Sequence, residues 1–161
     1  MDLAKWVSAF KALHEKAKRG TLDGVEDRDY KAGREALTRA LVAAQGLTRK
    51  PDQSPREALR LTRVLQVDLE SRVRAERLAT SELSLGGFSA RMARAPGPDE
   101  ELTATLRLPG TEPVSSRVKV AGVKVQPGFV LVSFSFAKLE GASAERFEIA
   151  IFDFVLAEMR T

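Results

Sequence analysis

The chain reads as an α+β protein in which an N-terminal helical pair precedes a small antiparallel β-barrel and a C-terminal helix. Three observations predict this. Apolar residues recur at three- and four-residue steps up to Gln45, the period changes to two from Leu65, and the helical period returns after Gly141. Between Leu65 and Phe136 the alternating runs are punctuated by Gly86-Gly87, Pro96-Gly97-Pro98, Pro109-Gly110 and Pro127-Gly128, the cadence of short strands joined by tight turns. Residues 1–48 form the expected helical segment, and residues 49–161 the barrel domain with its terminal helix.

In the first helix Leu3, Trp6, Val7, Phe10, Leu13 and Ala17 lie on one stripe, with Asp2 as cap and Gly20 as stop. A stripe this apolar seeks the β domain or a second subunit, with Trp6 packing at the interface. The second helix is predicted from about Asp27 to Gln45, with Tyr30, Leu37, Leu41 and Ala44 inward, Gly46 as stop and Thr21 to Val25 as the connecting turn. Leu47 to Gln53 reads as a linker. Ser54-Pro55-Arg56-Glu57 is a capping-box signature for a short helix.

Strands follow at Leu65 to Glu70, Arg74 to Ser84, Phe88 to Ala93, Leu102 to Leu108, Ser116 to Val125 and Phe129 to Phe136. Leu102, Ala104, Leu106 and Leu108 share one face, as do Val130, Val132, Phe134 and Phe136, and Gly122 marks a bulge or bend. Closing such a sheet buries one face and removes its edges. The last helix carries Phe147, Ile151, Phe152, Phe154, Val155, Leu156 and Met159 around a broad apolar surface. It is expected to close the barrel or meet the N-terminal helices.

Composition removes much chemistry. With 161 residues and 43% hydrophobic content the chain can bury a core without staples. The absence of cysteine excludes disulfides and thiolate metal or redox sites, and the single His14 argues against a histidine-based cluster. A lone histidine beside an apolar stripe is expected to be partly buried rather than catalytic. Asp99-Glu100-Glu101 lies in a turn-rich loop and reads as solvating charge. No nucleophile–base spacing is recognisable, so the chain is not expected to be an enzyme or to need a cofactor. The N-terminus has no signal-like pattern and no stretch approaches the roughly 20 apolar residues that span a bilayer; a soluble, cytoplasmic protein without membrane insertion is expected.

The net charge of +4, from 26 basic and 22 acidic residues, is too balanced for bulk binding of DNA or RNA. A nucleic-acid binder would also want aromatics interleaved with basic residues on an exposed sheet face, whereas Phe129, Phe134 and Phe136 sit in an apolar run. Arg49, Lys50, Arg56, Arg60, Arg63, Arg72, Arg74 and Arg77 cluster locally, as a patch for a small anion or as a solvated face.

Within that cluster Arg56-Glu57-Ala58-Leu59-Arg60 precedes Glu82-Leu83-Ser84-Leu85-Gly86-Gly87. Two arginines four apart can aim two planar donor forks at one anionic, guanine-bearing ligand, and a Ser-x-x-Gly turn offers a hydroxyl and an unobstructed backbone. On surface positions the same residues are a solvated helix turn and an ordinary hairpin.

The order and spacing of these segments, with the strand pattern between them, resembles the PilZ domain family from about Arg49 to the C-terminus. The family carries Arg-x-x-x-Arg, then a strand, then Asp/Asn-x-Ser-x-x-Gly, and its members typically bind cyclic di-GMP. Arg56 and Arg60 match the first element, Ser84 and Gly87 the second, and Glu82 stands where the family prefers a shorter acid or amide. The resemblance implies a barrel with cyclic di-GMP as ligand. Arg56 and Arg60 would hold guanine or phosphate, Glu82 would accept from guanine N1 and N2 or pair with Arg60 or Arg77, Ser84 would donate to phosphate or sugar, and Gly87 would keep the turn clear.

It implies a non-enzymatic effector that passes second-messenger state to a protein partner, with the N-terminal helices as the partner surface and a homodimer left open. The alternative is a ligand-independent interaction module of motility or pilus machinery.

Overall fold

Asp2 accepts a hydrogen bond from the Ala4 N–H at 3.2 Å and caps the first helix, α1 (Leu3–Arg19), which ends where Gly20 turns left-handed at φ 69°. These features belong to a computed structural model that describes residues 2–45, 59–137, 139 and 141–159. The second helix, α2 (Gly24–Gln45), starts three residues before the expected Asp27. The reason is a reciprocal cap: Glu26 N–H donates to Asp23 Oδ1 at 2.8 Å and Asp23 N–H to Glu26 Oε1 at 3.2 Å. The expected linker at Leu47–Gln53, the Gly46 stop and the Ser54 cap lie outside the described residues.

The barrel consists of β1 (Gln66–Glu70), β2 (Ala75–Ser84), β3 (Gly87–Met92), β4 (Leu102–Leu106), β5 (Val114–Gln126) and β6 (Phe129–Phe136), followed by α3 (Gly141–Glu158). The strands close in the order β1-β2-β3-β6-β5-β4, antiparallel throughout. The alternation anticipated in β4 and β6 is present, since Leu102, Ala104, Leu106, Val132 and Phe134 are buried. Gly122 does stand at a register shift between β5 and β6.

Two compact units divide the chain: Arg60–Phe147 in one, and Met1–Leu59 with Glu148–Thr161 in the other. In the helical unit the inward face of α1 is Val7, Phe10 and His14. Leu3, expected on the stripe, is 74% exposed, because it occupies the first turn, ahead of the packed residues. On α2 the buried face is Tyr30, Arg34, Leu37, Thr38 and Val42; Ala44 is exposed and Val42 takes the inward place. These residues are linked by the three- and four-residue spacings that a helix brings to one face.

Phe10 is the centre of this unit. Its ring stacks on Trp6 at 5.5 Å and Tyr30 at 5.4 Å and meets Phe152 of α3 edge-on at 6.4 Å. Gly33 permits the approach, since a Cβ there would lie 2.6 Å from the Phe10 ring. Trp6 itself is half-buried. Within the barrel unit Phe147, in the second turn of α3, packs edge-on against Phe136 at 5.3 Å. No helix among the described residues is long and apolar enough to cross a membrane.

Candidate functional site

Leu61 lies just before β1 and forms an isolated antiparallel bridge with Leu83 on β2, with N–H to O distances of 2.8 and 2.7 Å. Four residues on, Leu65 exchanges N–H to O bonds with Thr80: its N–H donates to Thr80 Oγ1 at 2.8 Å and its carbonyl accepts from the Thr80 N–H at 2.9 Å. The Thr80 hydroxyl donates in turn to the Arg63 carbonyl at 2.6 Å. The chain entering the barrel is therefore sewn along β2. Leu59 and Leu61 are buried and the intervening Arg60 points outward, and neither Leu59 nor Arg60 is helical.

A bulge at Ser81 sets the other side. Thr80 pairs with Ala90, but Glu82 pairs with Ser89, so Ser81 is the extra residue. The bulge turns Glu82 outward while Thr80 and Leu83 remain buried. Arg60 Nε and Glu82 Oε1 then stand 3.5 Å apart, with the two side chains 39% and 50% exposed. Of the two ion-pair partners considered for Glu82, Arg60 is the one in reach; Arg77 pairs with Asp68 at 3.4 Å.

Ser84 closes the hairpin between β2 and β3. Its hydroxyl accepts from the Gly87 N–H at 3.1 Å and lies 3.3 Å from the Gly87 carbonyl. Gly87 is buried at the start of β3, and a Cβ there would fall inside the Phe134 carbonyl oxygen of β6. Its φ is not positive, so close approach of two backbones, rather than a left-handed turn, requires glycine here. Arg60, Glu82, Ser84 and Gly87 thus gather at one end of β2. Arg56 lies outside the described residues, as do Arg49 and Lys50.

Among the described residues of the wider basic cluster, Arg74 and Arg77 are also held in ion pairs. Arg74 grips Glu100 through Nε to Oε2 at 2.6 Å and Nη2 to Oε1 at 3.3 Å, and also reaches Glu76 at 2.8 Å. Glu100 is consequently no solvating charge. The Arg74 guanidinium, with help from the Ser71 hydroxyl and the Gly97 N–H, holds its carboxyl at about 2, well below 4.5. The open cleft of about 610 Å³ beside it is lined by Ser71, Arg72, Val73, Asp99, Glu100 and Glu101, where three carboxylates against one arginine disfavour an anion.

His14, expected to be partly buried, is only 1% exposed and sits in a polar cluster no spacing pattern announced. Its Nε2 is 3.1 Å from Asp153 Oδ1 and its Nδ1 2.7 Å from the Tyr30 hydroxyl. Asp153 also receives Lys18 at 3.0 Å, and its carboxyl lies below the ordinary range even though burial works against ionisation. A carboxylate only accepts, so Nε2 carries the proton, Nδ1 accepts, and Tyr30 donates. Burial lowers the His14 pKa from 6.5, partly offset by Asp153. The groups satisfy one another, which is the arrangement of a structural tie. Among the described residues no group of three acidic or histidine side chains could hold a metal ion.

No protein-family model and no curated protein sequence matches the chain. Solved structures resemble it. The Bacillus subtilis inhibitor of motility MotI/DgrA matches with a TM-score of 0.54 at 16% identity, over 71% of this chain and 55% of that one. K. pneumonia MrkH in its apo state matches with a TM-score of 0.54 at 15% identity, over 70% and 54%. YcgR from Escherichia coli, solved in complex with c-di-GMP, matches with a TM-score of 0.50 at 15% identity, over 62% and 45%. The chain thus spans about half the length of these structures, and the likeness is one of fold: the barrel is PilZ-like.

Proposed function

We propose that this chain is a non-enzymatic receptor for cyclic di-GMP that passes second-messenger state to a protein partner. The observation supporting it is the pairing of Arg60 with Glu82, 3.5 Å apart and half-exposed, beside Ser84 on a PilZ-like barrel. A guanine base can match this pair through two adjoining edges. O6 and N7 accept from a guanidinium, and N1–H and N2–H donate to a carboxylate, so an inserted base satisfies both partners of the ion pair it opens. Arg56 joins the site by the motif it shares with Arg60, and Ser84 offers its hydroxyl to a phosphate or sugar oxygen.

The second reading, a ligand-independent interaction module, draws on the same contacts. Arg60 and Glu82 hold each other, and the Ser84 hydroxyl is committed to the Gly87 backbone. Calorimetric titration of the full chain with cyclic di-GMP, with GTP and cyclic di-AMP as controls, decides between them. Saturable heat with cyclic di-GMP alone is the expected result. A folded protein that gives none is an interaction module.

A further inference from the structure

Beyond Val118 the fifth strand has a sheet neighbour on one side only. β4 pairs with β5 from Leu106↔Val114 to Leu102↔Val118 and goes no further. β6 continues alongside β5 from Val118↔Phe136 to Gln126↔Phe129. Among the described residues, positions 119–126 therefore present an open edge, and every residue from Lys119 to Val125 is exposed. Protein edges are ordinarily short, covered or thoroughly charged. This one displays Val123 at 47% and Val125 at 79% exposure.

Its charge is one-sided. No acidic residue occurs between Pro113 and Leu139, whereas Arg117, Lys119 and Lys124 do. Neither Lys119 nor Lys124 is in an ion pair with a described residue. We infer that residues 119–126 of β5 are a docking edge for an extended, acidic segment of a partner protein, which joins the sheet as an additional strand. The open backbone supplies the hydrogen bonds, the valines take alternate apolar side chains, and the two lysines select glutamate or aspartate between them. A second copy of this chain is the poorer occupant. Two such edges bring lysine toward lysine with no acid on the hairpin to offset the repulsion. The inference does not depend on ligand binding at Arg60 and Glu82.

The test uses a fluorescein-labelled peptide of alternating valine and glutamate, about a dozen residues long as strand addition requires, titrated into the full chain. Its anisotropy should rise saturably, and amide exchange within 119–126 should slow by roughly tenfold or more at saturation. The Lys119→Glu/Lys124→Glu variant, with an unchanged melting temperature, should lose affinity roughly tenfold or more and gain affinity for an alternating valine–lysine peptide. Val125→Ser should weaken the parent peptide without reversing its charge preference. Absent binding, binding indifferent to charge reversal, or protection mapping elsewhere overturns the inference. So does protection of 119–126 that arises instead from self-association in sedimentation or from anionic phosphatidylglycerol vesicles.

Discussion

Glu82 is one methylene longer than aspartate, and in this structure the extra length lets its carboxylate stand beside Arg60 Nε at 3.5 Å. An exposed pair of this kind contributes less than about 1 kcal/mol to folding, whereas a charged contact to a bound base or phosphate is worth more. Arg60→Ala should therefore abolish cyclic di-GMP binding with a nearly unchanged melting temperature; retained affinity in the folded variant removes Arg60 from the proposed site. Glu82→Asp should bind more tightly, because a shorter carboxylate withdraws from Arg60 and leaves room for the guanine edge. Parallel calorimetry of variant and parent checks this, and weaker binding would mean that the longer arm is the one the ligand uses.

The β2–β3 hairpin shows a site and its scaffold sharing residues. Gly87 is required by the Phe134 carbonyl of β6 whatever occupies the outer face. Gly87→Ala forces two backbones apart and should cost about 3 kcal/mol or more, at the upper end of overpacking effects. A denaturant melt measures it, and a change under about 0.5 kcal/mol would mean that the strands part freely. The turn between β1 and β2 is tied to the loop before β4 by Arg74 and Glu100. Because the folded Glu100 carboxyl sits at about 2 against 4.5 when unperturbed, its contribution is complete above pH 4.5 and fades as the pH falls toward 2. Glu100→Gln should flatten the acid limb of a melting-temperature series. An unaltered limb would place the acid sensitivity elsewhere.

For the molecule as a whole, a second and higher pH window comes from the helical unit. His14 joins α1, α2 and α3 as a neutral ring, faced by Tyr30, Asp153, Lys18 and Glu15. Burial lowers its folded pKa, so its contribution is complete above 6.5 and is lost as the pH falls through the folded value. Since the chain has a single histidine, its imidazole proton resonance can be followed alone. The midpoint should fall below 6.5, and one at or above 6.5 would mean that the Asp153 contact outweighs burial.

Periodicity made the elements legible, because burying one face of a helix or strand imposes a repeat of 3.6 or 2 on the residues themselves. Six strands fell close to their expected positions, and Gly122 announced its bulge because glycine carries no side chain to pack. The bulge at Ser81 had no such mark, and it decides that Glu82 faces outward. The Leu61–Leu83 bridge was hidden in the same way behind a capping-box pattern, although the alternation of Leu59, Arg60 and Leu61 was its one visible sign. His14, Tyr30 and Asp153 are far apart along the chain, and no local repeat encodes a hydrogen bond between residues 14 and 153. The sequence by itself determined the α+β composition, the barrel strands and the motif residues of the hairpin, since these follow from local spacing and residue type. Tertiary structure alone decided which acid meets which arginine, why Gly87 is glycine and which edge of the barrel stays open, because each depends on the register of strands that only folding brings together.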